Sequence, residues 1–112
     1  MTKYHDLFPL GYLRQHYPDL RSFLGAYIGA REDEAINDVT LRFTIENPTP
    51  PIEKTINDGH SCLNDSNFPW ESITNEANIG FENEQETKEW LKHTIDLMEK
   101  TFQERINNEK TK

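Results

Sequence analysis

Cysteine, glycine, basic residues and long apolar runs are all scarce in this chain, and each shortage excludes a class of protein. A single cysteine, Cys62, leaves no partner for an internal disulfide, so a disulfide-stapled scaffold is excluded and a reducing compartment fits. His60 lies two positions away, which on a helix is a different face. No Cys/His nucleophile pair is therefore indicated, and Cys62 is expected to be a small buried residue. No stretch approaches the ~20 apolar residues that span a bilayer, and Met1–Asp6 lacks the apolar core of an export signal. A cytoplasmic location is the expectation. With five glycines and no Gly/Ser linker, nothing divides the 112 residues, so 1–112 is expected to be one domain.

Positive charge is also in the minority. Twelve Lys and Arg face 20 Asp and Glu, for a formal net charge of -8. Such a surface repels phosphate backbones and anionic lipid, so neither direct nucleic-acid binding nor membrane binding is expected. It attracts a basic protein partner and speeds the encounter. Solubility alone also accounts for an acidic composition.

The motifs of catalysis are missing as well. There is no P-loop, dinucleotide-binding glycine pattern, Gly-x-Ser-x-Gly, His-Glu-x-x-His or Cys-x-x-Cys. His5, His16, His60 and His93 are scattered singly, and the His93/Asp96 spacing reads as a solvated helix face rather than a metal site. Ser61 and Ser66 have no base arrangement nearby, and carboxylate pairs arise by chance among 20 acidic residues. No enzyme activity, catalytic residue, metal ligand or cofactor is expected.

What is present is enough apolar material to fold. Hydrophobic residues are 34% and aromatics 11% of the chain, too aromatic for a disordered segment. Proline and glycine punctuate it into short helical pieces. Pro9 opens a turn or short helix through Leu10, Tyr12 and Leu13. Pro18 suits a first helical position, and Leu20, Phe23, Leu24, Tyr27 and Ile28 recur on one face before Gly29 stops the helix. From Asp33 to Asn47 two patterns compete. Ile36, Val39 and Phe43 share a helical face, while Val39–Ile45 alternates in a β-branched, strand-like run. No second run of that type exists to pair with it, so helix is expected, with a short strand around 39–45 as the alternative. Thr49 is expected to cap a helix carrying Ile52, Ile56 and Leu63, with Gly59 weakening it by about 1 kcal/mol relative to Ala. Phe68–Pro69–Trp70 begins a short helix through Ile73. Asn83 and Glu86 resemble a capping box opening a long amphipathic helix with Leu91, Ile95, Met98, Phe102 and Ile106 inward. Residues 107–112 read as a frayed tail. These pieces amount to an all-α, single-domain bundle of five to six short helices ending in one long C-terminal helix.

The surface is where a function can reside. Acidic residues concentrate in two groups, Glu32, Asp33, Glu34 and Asp38, then Glu71, Glu76, Glu82, Glu84, Glu86 and Glu89. Either group suits a basic groove on a partner; Asp33, Glu34, Glu71 and Glu86 also lie where carboxylates stabilise helix N-termini. Trp70 and Tyr12 are the aromatics least used by the helical stripes and are candidate interface anchors, against a plain role in the core. The candidate partner-binding set is thus Glu32, Asp33, Glu34, Asp38, Trp70, Glu71, Glu76, Glu82, Glu84 and Glu86.

One run carries a resemblance. Leu20-x-x-Phe23-Leu24-x-x-Tyr27, followed by Asp33-Glu34-Ala35-Ile36 and later by Trp90-Leu91 opening the last helix, resembles the pattern of immunity proteins from bacterial contact-dependent growth inhibition systems. After the tyrosine that family carries a His-Gln-Asp-Trp-like run, where this chain has Ile28-Gly29-Ala30-Arg31-Glu32. The resemblance implies a protein that binds and neutralises a cognate C-terminal toxin domain, very often a nuclease with a basic groove. The competing expectation from the residues alone is an acidic nucleic-acid mimic or regulatory adaptor that binds a host protein. Oligomeric state has no signature in the sequence.

Overall fold

The computed structural model describes residues 11–110, and among these every regular element is helical. Residues 11–16 are helical (α1). Then follow α2 (Pro18–Phe23), which runs directly into a π-helical turn (Leu24–Ile28), α3 (Ile36–Glu46), α4 (Thr49–Leu63), α5 (Trp70–Ala77) and α6 (Glu84–Lys110). The fold is the expected all-α bundle with a long last helix. Pro9 and Leu10, with which α1 was expected to begin, lie outside the described residues.

At about 1.5 Å per residue, α6 is some 40 Å long, and it forms the spine against which α3, α4 and α5 pack. Leu91, Ile95, Met98 and Phe102 on its inner face are buried. They join Leu20, Phe23, Leu24 and Ile28 from the α2 segment, Val39 and Phe43 from α3, and Ile52, Ile56 and Cys62 from α4 in one contiguous core. At Gly59 α4 lies tight against that spine: a Cβ there would collide with the Ile95 side chain. Its low helix propensity is therefore the cost of a close crossing that no larger residue permits.

The contested segment is a helix. Val39, Thr40, Phe43 and Thr44 turn inward together, which is helical spacing and not alternation. The Thr40 and Thr44 hydroxyls donate to the carbonyls of Ile36 (3.0 Å) and Thr40 (2.7 Å) one turn back, so these β-branched residues satisfy their polar atoms inside the helix. Ile45, a residue of the strand-like run, is left 62% exposed.

Several boundaries differ from expectation. Helix α3 starts at Ile36, leaving residues 31–35 as loop. Thr49 is the first helical residue of α4, preceded by Pro48 with no side-chain cap, and Pro50 and Pro51 supply the fixed φ that suits a first turn in which N–H groups have no intrahelical partner. Helix α5 continues past Ile73 to Ala77 and ends on Asn78 in the left-handed conformation (φ 56°). The α2 helix widens by one residue per turn at Leu24–Ile28, with the Gly29 N–H donating to the Leu24 carbonyl at 2.6 Å. Helix α6 runs on through 107–110, all exposed; 111 and 112 lie outside the described residues.

Candidate partner-binding surface

The first acidic group straddles the loop before α3. Glu32 and Asp33 are exposed in that loop, and Asp38 is exposed in the first turn of α3. None of the three has an ion-pair partner among the described residues. Glu34 is different. Arg42, one face along α3, donates to both its oxygens (Nη2 2.9 Å, Nε 3.2 Å). That forked pair raises the Arg42 pKa further and occupies Glu34 internally. The loop itself is pinned by Arg31, whose Nη1 donates to the carbonyls of Ile28 (2.6 Å) and Ala77 (3.1 Å), tying it to the end of α5.

The second group divides in the same way. Glu71 is exposed in the first turn of α5, and Glu82 and Glu84 are exposed at the start of α6. No cation pairs with any of them among the described residues. Glu76 has turned inward: its side chain is 13% exposed and meets Arg21 Nε at 3.4 Å, beside Gly25 and Gly29 of the π-helical turn. Glu86 completes the cap of α6. Its N–H donates to Asn83 Oδ1 at 2.8 Å, and its carboxylate accepts the Glu82 N–H at 2.7 Å. Glu89 accepts from Gln85 Nε2 at 2.9 Å. Trp70 is half-buried and packed against the core, as is Phe81 with Trp90 at 5.3 Å between ring centroids. Of the residues singled out in the sequence, Glu32, Asp33, Asp38, Glu71, Glu82 and Glu84 therefore keep free carboxylates, and Glu34, Glu76, Glu86 and Trp70 act chiefly within the fold.

Two arrangements have little or no signature in the sequence. In the first, Asp65 in the α4–α5 loop gathers Tyr12 of α1 and Tyr17 just before α2, accepting from Tyr12 (2.6 Å) and Tyr17 (2.7 Å) on Oδ2 and from the Asn67 N–H (2.9 Å) on Oδ1. These donors hold its carboxyl below the usual range, and burial together with the Asp65 contact pushes the Tyr17 hydroxyl up. Tyr12 is thus an internal strut and not a free anchor. Aspartate and tyrosines 48 and 53 residues apart give no local signal of meeting.

In the second, a groove of about 350 Å³ runs between α4 and α6, lined by Glu53, Ile56, Asn57, Glu99, Phe102 and Gln103. Glu53, Ile56 and Asn57 share one face of α4, and Glu99, Phe102 and Gln103 share one face of α6. The helices are antiparallel here, since His60 Nε2 meets Glu99 Oε1 at 3.0 Å while Arg105, further along α6, reaches Asn47 just before α4. The only hint available in sequence was the same +3/+4 spacing, on residues that looked like ordinary solvated positions.

Cys62 is fully buried, and burial pushes its thiol up to about 12, which keeps it protonated and inert near neutrality. Among the described residues no three His, Cys, Asp or Glu side chains converge to hold a metal ion, and no helix is long and apolar enough to cross a membrane. Comparison with protein-family models, with curated proteins and with solved structures gives no match.

Proposed function

We propose that this protein is an immunity protein of the contact-dependent growth inhibition type, acting in the cytoplasm. In this reading it binds the C-terminal domain of a cognate toxin, a nuclease with a basic substrate groove, and holds it inactive without turnover. The observation that carries the reading is the unneutralised charge at the α5–α6 end. From Trp70 to Glu89 the chain has six carboxylates and the single cation Lys88, and Glu71, Glu82 and Glu84 are exposed with no ion-pair partner among the described residues. Carboxylates left solvated in the free protein have not been committed to internal partners, so a partner's Arg and Lys side chains can pair with them. The free carboxylates Glu32, Asp33 and Asp38 extend the same logic to a second region.

The apolar and aromatic residues of the Leu20–Tyr27 motif have a different job. Leu20, Phe23 and Leu24 are buried in the core, and Tyr27 packs edge-on against Phe43 with centroids 4.9 Å apart. They support a shared scaffold, while specificity for one toxin belongs to the exposed residues, where like-charge clashes and unsatisfied polar groups reject wrong partners.

Co-expression with the toxin domain encoded beside it tests the proposal. The expected outcome is restored growth, formation of a complex that survives gel filtration, and an association rate that falls steeply with salt. Growth arrest in the presence of folded protein overturns it; capture of a host DNA-binding protein in its place would favour the nucleic-acid mimic.

A further inference from the structure

The geometry points to the α4–α6 groove as the receptor for one arginine side chain presented by the partner, a contact separate from the acidic α5–α6 end. The inference rests on the reading of the partner as a basic protein. Glu84 and Glu99 are fifteen residues apart on one continuous helix, about 22 Å along its axis, so the groove is a distinct surface. Its floor is apolar, made by Ile56 and Phe102, which are 6% and 7% exposed. Its rim carries the Glu53 and Glu99 carboxylates and the Asn57 and Gln103 amides.

That combination suits a cationic side chain with an apolar stem, and arginine best. An arginine has an apolar stem for the floor and a planar, permanently charged fork that suits carboxylates and aromatic faces. Among the described residues no Lys or Arg lines the groove. Glu53 has no ion-pair partner among the described residues, and the partner of Glu99 is His60, 46% exposed and charged only when protonated. Arg105, the nearest arginine along α6, is committed elsewhere: it donates to the carbonyls of Thr44 (3.0 Å) and Asn47 (2.7 Å) and pairs with Glu109. Charge complementarity therefore selects a cationic side chain over an apolar segment or a second copy of this acidic chain.

The test is a titration of the ¹⁵N-labelled full-length protein with the blocked pentapeptide acetyl-Ala-Leu-Arg-Leu-Ala-amide. The control is the same peptide with citrulline, the uncharged isostere, replacing arginine. The expected result is saturable shifts centred on the amides of Glu53, Ile56, Asn57, Glu99, Phe102 and Gln103. They should weaken at least fivefold for the citrulline peptide and at least tenfold for the E53Q/E99Q double variant. Both substituted side chains are on the surface, so the thermal midpoint of that variant should stay close to that of the wild type, and E53Q alone should show an intermediate loss. Absent or unsaturable shifts overturn the inference, as do equal binding of the citrulline peptide, shifts centred on 71–86, or a dimer that occupies the groove. In co-expression, equal protection by wild type and E53Q/E99Q would remove the groove from toxin binding and leave the immunity reading standing. No protection by wild type would remove the immunity reading, with the peptide titration still deciding the groove.

Discussion

At the scale of single residues, identical side chains in the sequence have opposite fates. Glu71 and Glu76 lie one and a half turns apart on α5, yet Glu71 is exposed while Glu76 is folded under Arg21 against the π-helical turn. Two glycines make room for it: a Cβ at Gly25 would crowd the Glu76 carboxylate, and one at Gly29 would collide with the Glu76 backbone oxygen. G29A is accordingly expected to cost about 2–3 kcal/mol, read as a lowered urea midpoint. G80A, where an added Cβ meets nothing within 4 Å, should stay within about 0.5 kcal/mol of wild type. Two aspartates give opposite pH signatures. Tyr12 and Tyr17 lower the Asp65 pKa, so its stabilisation is complete above the unfolded-state value and disappears as pH falls through the folded one. Burial raises the Asp58 pKa despite its bonds from the Asp19 and Leu20 N–H groups (2.9 and 3.1 Å). Its ionisation therefore costs stability as pH rises from the unfolded value through the folded one. D65N should destabilise more at pH 7 than at pH 2.5, whereas the cost of D58N should shrink as pH rises. Thermal melts of both variants from pH 2.5 to 7 check the two signs.

At the scale of elements, local pattern located the helices and tertiary contact set their ends. The +3/+4 stripe of α6 and its Asn83–Glu86 cap were readable because both lie within a few consecutive residues. The state of Val39–Ile45 was ambiguous because its residues satisfy two periods at once. It became a helix because α6 and the α2 segment offer a packed face to Val39 and Phe43, with Phe23 and Phe43 ring centroids 4.8 Å apart. Long-range bonds then close the helix ends. Arg105 on α6 holds the last carbonyls of α3, which otherwise lack partners. R105A should lower stability by about 1–3 kcal/mol through those unpaired acceptors, and amide exchange around residues 44–47 and 105–110 should quicken. R105K, which keeps the charge and loses the fork, should fall between the two.

At the scale of the whole molecule, the net charge of -8 acts over a distance that individual contacts do not. A steering field depends on carboxylates left in solvent, so the E71K/E82K/E84K variant should slow association with a basic toxin domain by about tenfold at low salt. The difference should narrow as salt rises, with little change in the unfolding midpoint. E76K, reversing a charge that is 13% exposed and paired, should lower stability first. Stopped-flow binding and thermal melts of the two variants separate the roles.

Composition and periodicity by themselves determined the class of this protein: its charge, its helical pieces, the long last helix and the burial of Cys62. Each follows from residues close together in the chain or from totals that do not depend on arrangement. Only the tertiary structure decided which carboxylates remain available, that Tyr12 and Tyr17 are held by Asp65, and that Glu53 and Glu99 border one groove. The physical reason is that pairing and burial bring together groups up to 61 residues distant along the chain. Their meeting is set by how helices cross, and a crossing leaves little trace in local sequence beyond a glycine such as Gly59 where two helices come too close for a side chain.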